Sequence, residues 1–301
     1  MPGLAAALAL LLANSELPAT HAANPLPEAG DIDIIKTRTN VDRRMTVPVR
    51  IGQQGPFRFV IDTGSQTTVM ARDIAERMRL PLARRARIVG IGGTETADTV
   101  IVSEIGLGRR SFQDLEVVLF EGRHIGADGI VGIDSLQRQR VVLDFNRNQL
   151  MVGNARSTGG NSGFEIVVIA RRRLGQLIMT DAVIDGVGAD VIIDTGADTS
   201  IGNRALQRAL NRRATNEMVS LISVTGQVAI AELSYPRKLS IGAFDITNLI
   251  VAYTDAPVFD VLNLTRRPAL LLGMRELRLF KRVAIDFGTN RVYFDLPQGA
   301  R

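Results

Sequence analysis

FVIDTGSQTTVM (59–70) and VIIDTGADTSIG (191–202) decide how this chain is read, because they say the same thing twice. The first places Asp62-Thr63-Gly64 after the apolar run Phe59-Val60-Ile61. The second places Asp194-Thr195-Gly196 after Val191-Ile192-Ile193. A short apolar run that stops at Asp and Gly has the pattern of a buried strand ending in a turn. One such turn carries little information. Two, in equivalent surroundings, call for a search for a repeat.

The repeat extends in both directions. From Met45 the apolar residues alternate as Met45, Val47, Val49 and Ile51, and GQQGP (52–56) turns the chain into the strand that ends at Asp62. MTDAVIDGVGADVIID (179–194) follows the same plan. These are hairpins by alternation and turn composition. About ten residues beyond each Asp-Thr-Gly come pairs at helical spacing, Ile74 with Met78 and Leu206 with Leu210. DGIVGIDSL (128–136) then matches ALLLGMREL (269–277), and VVLDFNRNQLMV (141–152) matches VAIDFGTNRVYF (283–294). Matching elements in the same order make this a duplication. Asp144 and Asp286 repeat too, but they follow strands far from the acidic turns and have structural roles by that placement.

Between the copies lies GNARSTGGNSG (153–163), a Gly/Ser/Asn linker with nothing to pack. The expected organisation is a first lobe at 31–152, this linker, and a second lobe at 164–297. The extra length of the second copy falls in YTDAPVFDVLNLTRRP (253–268). Short alternating segments with Gly turns point to an all-β architecture with short helices. Residues 1–23 have an apolar core from Leu4 to Ala13, too short for a membrane-spanning helix of about 20 residues, and small residues around Thr20-His21-Ala22. They are expected to be a signal peptide or, if uncleaved, an anchor, which makes the protein exported, periplasmic or secreted.

Composition excludes several chemistries. The chain has no cysteine and only two histidines, His21 and His124. Thiolate nucleophiles, disulfides and His/Cys metal sites are therefore ruled out or unsupported, and neither a metal nor a cofactor is expected. His124 is expected to be a lone exposed side chain. The net charge of +5 is almost all arginine, with lysine only at 36, 238 and 281. No nucleic-acid motif accompanies it. The basic surface is either simply solvated or contacts an anionic envelope surface.

Symmetry turns the repeated acid into chemistry. If the halves pack around a two-fold axis through the turns, Asp62 and Asp194 meet. Two carboxyls in contact do not both ionise cheaply, so they share a proton. A water between them then has a general base on one side and a general acid on the other, as attack on an amide carbonyl requires. Gly64 and Gly196 allow close backbone approach, and Thr63 and Thr195 have hydroxyls that can bond across the axis. The turns differ at one position, where Ser65 faces Ala197. A Ser65 hydroxyl donating to Asp62 would place more of the negative charge on Asp62.

With these residues in view, the chain resembles the retropepsin-like (retroviral-type) aspartic proteases, in their bacterial exported, single-chain, two-lobe form. The resemblance rests on Asp62-Thr63-Gly64-Ser65, Asp194-Thr195-Gly196-Ala197-Asp198, Ile130-Val131-Gly132, Leu271-Leu272-Gly273 and the Gly-rich VGIGG (89–93), and covers about 31 to 296. It implies two closed β-barrel lobes related by a pseudo-two-fold axis, an Asp62–Asp194 catalytic pair and an interlobe threonine grip. It further implies a flap at Gly90, Ile91, Gly92 and Gly93 closing on a polypeptide substrate, and an Asp198 that bonds substrate backbone. Gln66 stands where Asp198 does in the other half, so those contacts are expected to be unequal. SVTGQ (223–227) replaces the Gly-rich flap, so the second flap is expected to be short or absent. Retroviral enzymes pair two chains, whereas this chain has both halves and is expected to work as a monomer. The leading expectation is an aspartic endopeptidase. The alternative is a non-catalytic exported peptide-binding protein, against which retention of both repelling acids argues. A glycosidase using the same acids is disfavoured by the absence of tryptophan and the presence of only three tyrosines.

Overall fold

Strands dominate the computed structural model, which describes residues 4–5, 32–40, 42–137, 139–154, 158, 160–161, 163–210 and 217–296. In the first lobe the alternating stretch forms Met45–Ile51 and returns as Gln54–Ile61. The ring continues through Gly129–Val131, Val69–Ala71, Arg110–Phe120 and Thr94–Leu107. It closes where Val49 meets Leu107, making a barrel with an apolar interior. Leu82–Val89 pairs with Thr94–Leu107 outside this ring, forming a long hairpin whose tip contains Ile91.

The second lobe repeats the order with Gln176–Ile184, Val187–Ile193, Ala269–Leu272, Ser200–Gly202, Val251–Tyr253 and Val228–Ser234. The strand that runs unbroken in the first lobe is here divided into Val228–Ser234 and Lys238–Ile241 by Tyr235-Pro236-Arg237. A proline has no N–H for the ladder, so the interruption falls there. Ring closure survives, because Lys238–Ile241 pairs with Gln176–Ile184. The helices expected around Ile74 and Leu206 are Arg72–Arg77 and Arg204–Ala209, with Ile74 and Leu206 buried. The extra residues of the second copy form the helix Pro257–Val261 and pack Val258, Phe259, Leu262 and Leu264 into the core.

An antiparallel sheet joins the lobes in the order Ile166–Arg173, Arg291–Asp295, Arg282–Asp286, Arg140–Asp144, Gln149–Gly153, Asp33–Lys36. At its centre the two duplicated strands face each other. Arg140 lies opposite Asp286, Val142 opposite Ala284 and Asp144 opposite Arg282, so the local two-fold passes between Val142 and Ala284. Asp144 and Asp286 have the structural roles expected of them. The first accepts from the Arg147 N–H, and the second from the N–H groups of Gly288 and Thr289.

One expectation changes here. The linker was read as having nothing to pack, yet Arg140 reaches its backbone at Gly160 (2.6 Å) and its side chain at Asn161 (2.9 Å). A buried guanidinium needs acceptors, and the linker supplies them. The signal segment, by contrast, lies outside the described residues except for Leu4–Ala5, which runs parallel to Met218–Ile222. No helix among the described residues is long and apolar enough to cross a membrane.

Arg140 is 1% exposed, pairs with Asp286 at 3.1 Å and lies over the Tyr293 ring. Removing one partner of a buried ion pair leaves the other uncompensated, at about 3–5 kcal/mol. Arg140→Ala is therefore expected to lower unfolding stability by about that amount. The check is urea denaturation, and a midpoint equal to wild type would contradict the assignment.

Candidate active site

Each acid sits where a strand of the ladder runs out. The Asp62 N–H donates to the Val131 carbonyl (3.1 Å), and the Asp194 N–H to that of Leu272 (3.0 Å). The two hydrophobic-hydrophobic-Gly elements thus pin the backbone of the two aspartates in matching ways. The following residues then cross between the lobes. Thr63 Oγ1 donates to the Ile193 carbonyl and Thr195 Oγ1 to the Ile61 carbonyl, each at 2.8 Å. The Thr63 N–H donates to Thr195 Oγ1 (3.0 Å), and the Thr195 N–H to Thr63 Oγ1 (3.3 Å). Each threonine therefore holds the other's turn through both its side chain and its backbone.

This grip brings Asp62 and Asp194 together at the lobe boundary with no exposed surface on either. A Cβ on Gly196 would collide with Asp62 Oδ2, so only glycine fits against the acid of the opposite lobe. Asp62 Oδ1 accepts from the N–H groups of Gly64 (2.8 Å) and Ser65 (3.0 Å), and Asp194 Oδ1 from that of Gly196 (3.0 Å). The two carboxyls also bond each other, side chain to side chain, and no other group among the described residues reaches the buried Oδ2 of either.

Burial pushes the Asp62 carboxyl up to about 7, against the lowering pull of the Gly64 N–H, the Arg44 charge and the Ser65 N–H. Asp194 is raised well above the ordinary carboxylate value, first by burial and then by the charge on Asp62. Both acids are thus pushed towards the protonated form, and the pair holds a proton where two free carboxylates would not. The sequence reading put the extra negative charge on Asp62 through the Ser65 hydroxyl. Ser65 Oγ donates to the Thr67 carbonyl (2.7 Å) and does not bond Asp62. The hydroxyl has a nearer carbonyl acceptor, and the backbone N–H of the same residue serves the acid instead.

Two residues overlooked in the sequence reading stand beside the pair. Thr46 lies opposite Val60 and Ile178 opposite Ile192, so the register carries Arg44 to Asp62 and Gln176 to Asp194. Each stands eighteen residues before its aspartate, a spacing visible in the sequence once the hairpins are aligned. Gln176 is 1% exposed and donates from Nε2 to the Gly64 carbonyl (3.0 Å), across the lobe boundary. Arg44, also 1% exposed, donates from Nη2 to Asp42 (2.8 Å) and to the Ile125 carbonyl. A cation thus occupies one half of the repeat and a neutral amide the other.

The remaining expected site residues belong to neighbouring segments of the two lobes. Asp198 is half-buried, its Oδ1 has no partner, and burial raises it against the charges of Arg43, Arg275 and Arg278. Gln66 is directed elsewhere and donates to the Leu174 carbonyl. Ile91, at the tip of the first hairpin, is 1% exposed and packs among second-lobe residues including Ile178, Ile192 and Ile201. Gly92 and Gly93 rest on Gln227 of the second lobe, and the Gly90 N–H closes the turn onto the Gly93 carbonyl (2.8 Å). The second flap is not absent. Met218–Ile222 and Val228–Ser234 form a shorter hairpin with SVTGQ at its tip, held by the Ser223 and Thr225 hydroxyls where the first uses glycines. Nor is His124 freely exposed, since Gly226 of that tip lies on its ring.

Comparison with known proteins agrees with this geometry. The aspartyl protease family model matches residues 47–135 and again 180–275, more than half of the chain. The chain belongs to the aspartyl protease family. It is similar to DNA damage-inducible protein 1 of Neurospora crassa, with 26% identity over 151 residues. That match covers 49% of this chain and 30% of the relative.

Burial of the acids has a consequence for stability. A carboxyl raised from 3.8 to about 7 contributes fully below the unfolded value. Its contribution is lost as pH rises towards the folded value, because the unfolded chain gives up the proton first. Asp62→Asn has no such proton. Its thermal midpoint relative to wild type is expected to climb between pH 4 and 7, approaching a gain of roughly 4 kcal/mol at 1.36 kcal/mol per pH unit. Parallel profiles for the two proteins would contradict the burial of a proton at Asp62.

Proposed function

We propose that this chain is an aspartic endopeptidase in which Asp62 and Asp194 together activate a water against a peptide bond. The observation that carries the reading is the pair of buried Oδ2 atoms, left unbonded by a scaffold that satisfies the Oδ1 atoms and locks both turns. A water bridging the Oδ2 atoms gives one proton to ionised Asp62 as its oxygen attacks the carbonyl carbon. Protonated Asp194 passes its proton to the carbonyl oxygen, giving a neutral tetrahedral diol. Return of the proton held by Asp62 to the amide nitrogen, with loss of a diol proton to Asp194, breaks the C–N bond and resets the pair. We assign the base to Asp62 because its Oδ1 accepts from two backbone N–H groups and that of Asp194 from one, and bonds to the charged form favour it.

The substrate is an extended polypeptide held between the acids and the two hairpins, with Asp198 and the backbone of Gly90 to Gly93 placed to bond it. The catalytic unit is a single chain, because the duplication brings both acids. Export through the N-terminal apolar segment puts that activity outside the cytoplasm.

Asp62→Asn and Asp194→Asn are each expected to abolish cleavage of a peptide library, a loss of at least about 10³-fold for residues that act as a unit. An equimolar mixture of the two variants is expected to stay inactive. Cleavage is expected to resist EDTA and to be blocked by a statine-type peptide whose hydroxyl replaces the water. Substantial activity in either single variant would overturn the shared-acid mechanism. Activity regained on mixing would place the working cleft between chains.

A further inference from the structure

The tips of the two hairpins are seated differently. The first buries an isoleucine, Ile91, in the apolar cluster of the second lobe. The tip of the second is a compact turn. The Ser223 N–H donates to the Gln227 carbonyl and the Gly226 N–H to the Ser223 carbonyl, each at 2.9 Å, while the Ser223 and Thr225 hydroxyls bond each other. Gly226 has φ +84°, a left-handed conformation that glycine adopts freely. Its Cα faces the imidazole of His124 on the first-lobe helix Gly122–Ile125, so closely that a Cβ would lie 2.5 Å from Nδ1 and collide with the ring. The ring is held in turn by Arg123, whose Nε–H donates to His124 Nε2 (3.3 Å). Gln227, the next residue, is what Gly92 and Gly93 of the first hairpin rest upon.

From these contacts we infer that His124 is a positioning residue, the seat on which the second-lobe hairpin closes. Contact between the His124 ring and Gly226 sets the closed roof over the peptide site. The inference rests on the reading of the cleft as a peptide-cleaving site and extends it to how the cleft shuts. The chemistry is steric. A flat ring meets a residue without a side chain, and the rigid turn carries that contact to Gln227 and so to the first hairpin. Any side chain at 226 lifts the tip from the ring and releases both hairpins together. An aromatic ring at 124 preserves the seat whether or not it can carry a proton.

The absence of cysteine allows a direct test, because introduced cysteines are unique labelling sites. Spin labels at Arg50→Cys, exposed on the first lobe, and Val228→Cys, 54% exposed on the second hairpin, report the closure distance in the full chain. One dominant distance is expected in the labelled parent and in His124→Phe. Gly226→Ala is expected to lengthen and broaden it, and adding His124→Ala to make room for the methyl group is expected to restore it. In peptide cleavage, Gly226→Ala is expected to raise KM about tenfold with a smaller change in kcat, as for lost binding shared by ground and transition states. The double variant is expected to recover. A Gly226→Ala distribution equal to the parent's would overturn the inference. So would a broadening that persists without the His124 ring, since that locates the effect in the positive φ alone. If no version cleaves peptide, the proposed function fails while the distances still decide the seat.

Discussion

Everything in this molecule depends on the reciprocal hydrogen bonds between Thr63 and Thr195. Two carboxyls with no exposed surface carry a large desolvation cost, and nothing in their own charges draws them together. Hydroxyls reaching the carbonyls of Ile193 and Ile61 hold the turns in place from outside the acids. The barrels and the joining sheet, with Val142 facing Ala284 on its axis, then serve one geometric end. They deliver the two Asp-Thr-Gly turns to one point in opposite orientations.

Chemistry needs that symmetry broken, and it is broken next to the acids. Asp62 Oδ1 takes the N–H groups of Gly64 and Ser65 and lies beside the buried Arg44, while Gln176 fills the related position near Asp194. The proposed division into base and acid rests on this difference in N–H bonds. Further out, the divided strand at Pro236, the long 253–268 segment and the unlike hairpin tips make the two lobes unequal. In the proposed mechanism, this symmetric scaffold with asymmetric polar neighbours lets one acid act as base and the other as acid.

Much of this was legible in the sequence, and the reason lies in the duplication. The strand ends at Ile61 and Ile193, the acidic turns, the paired glycines and the helices at Ile74 and Leu206 each occur twice at matched spacing, so each copy vouches for the other. What failed to show was whatever a single copy decides through contact at a distance. Arg44 and Gln176 reach the acids only through strand register. Ser65 Oγ had two acceptors within reach, and composition does not choose between the acid and the Thr67 carbonyl. The second hairpin was hidden because its turn is built from hydroxyl bonds and one glycine in place of three. His124 reads as a lone side chain and the linker as having nothing to pack because their partners, Gly226 for His124 and Arg140 for Gly160 and Asn161, come from other parts of the chain.

The central claim is that Asp62 and Asp194 behave as one titrating pair holding one proton near neutral pH. Carboxyl carbon NMR of the ¹³C-aspartate-labelled full chain, followed across pH, reads that directly. The expected result is a pair of linked signals that lose their first proton near neutrality, far above the other aspartates. The Asp62 signal should carry the larger change in that step, and the second proton should remain on Asp194 to higher pH. Two independent titrations at the ordinary aspartate value would contradict it, because acids that ionise separately do not share the proton on which the proposed chemistry depends.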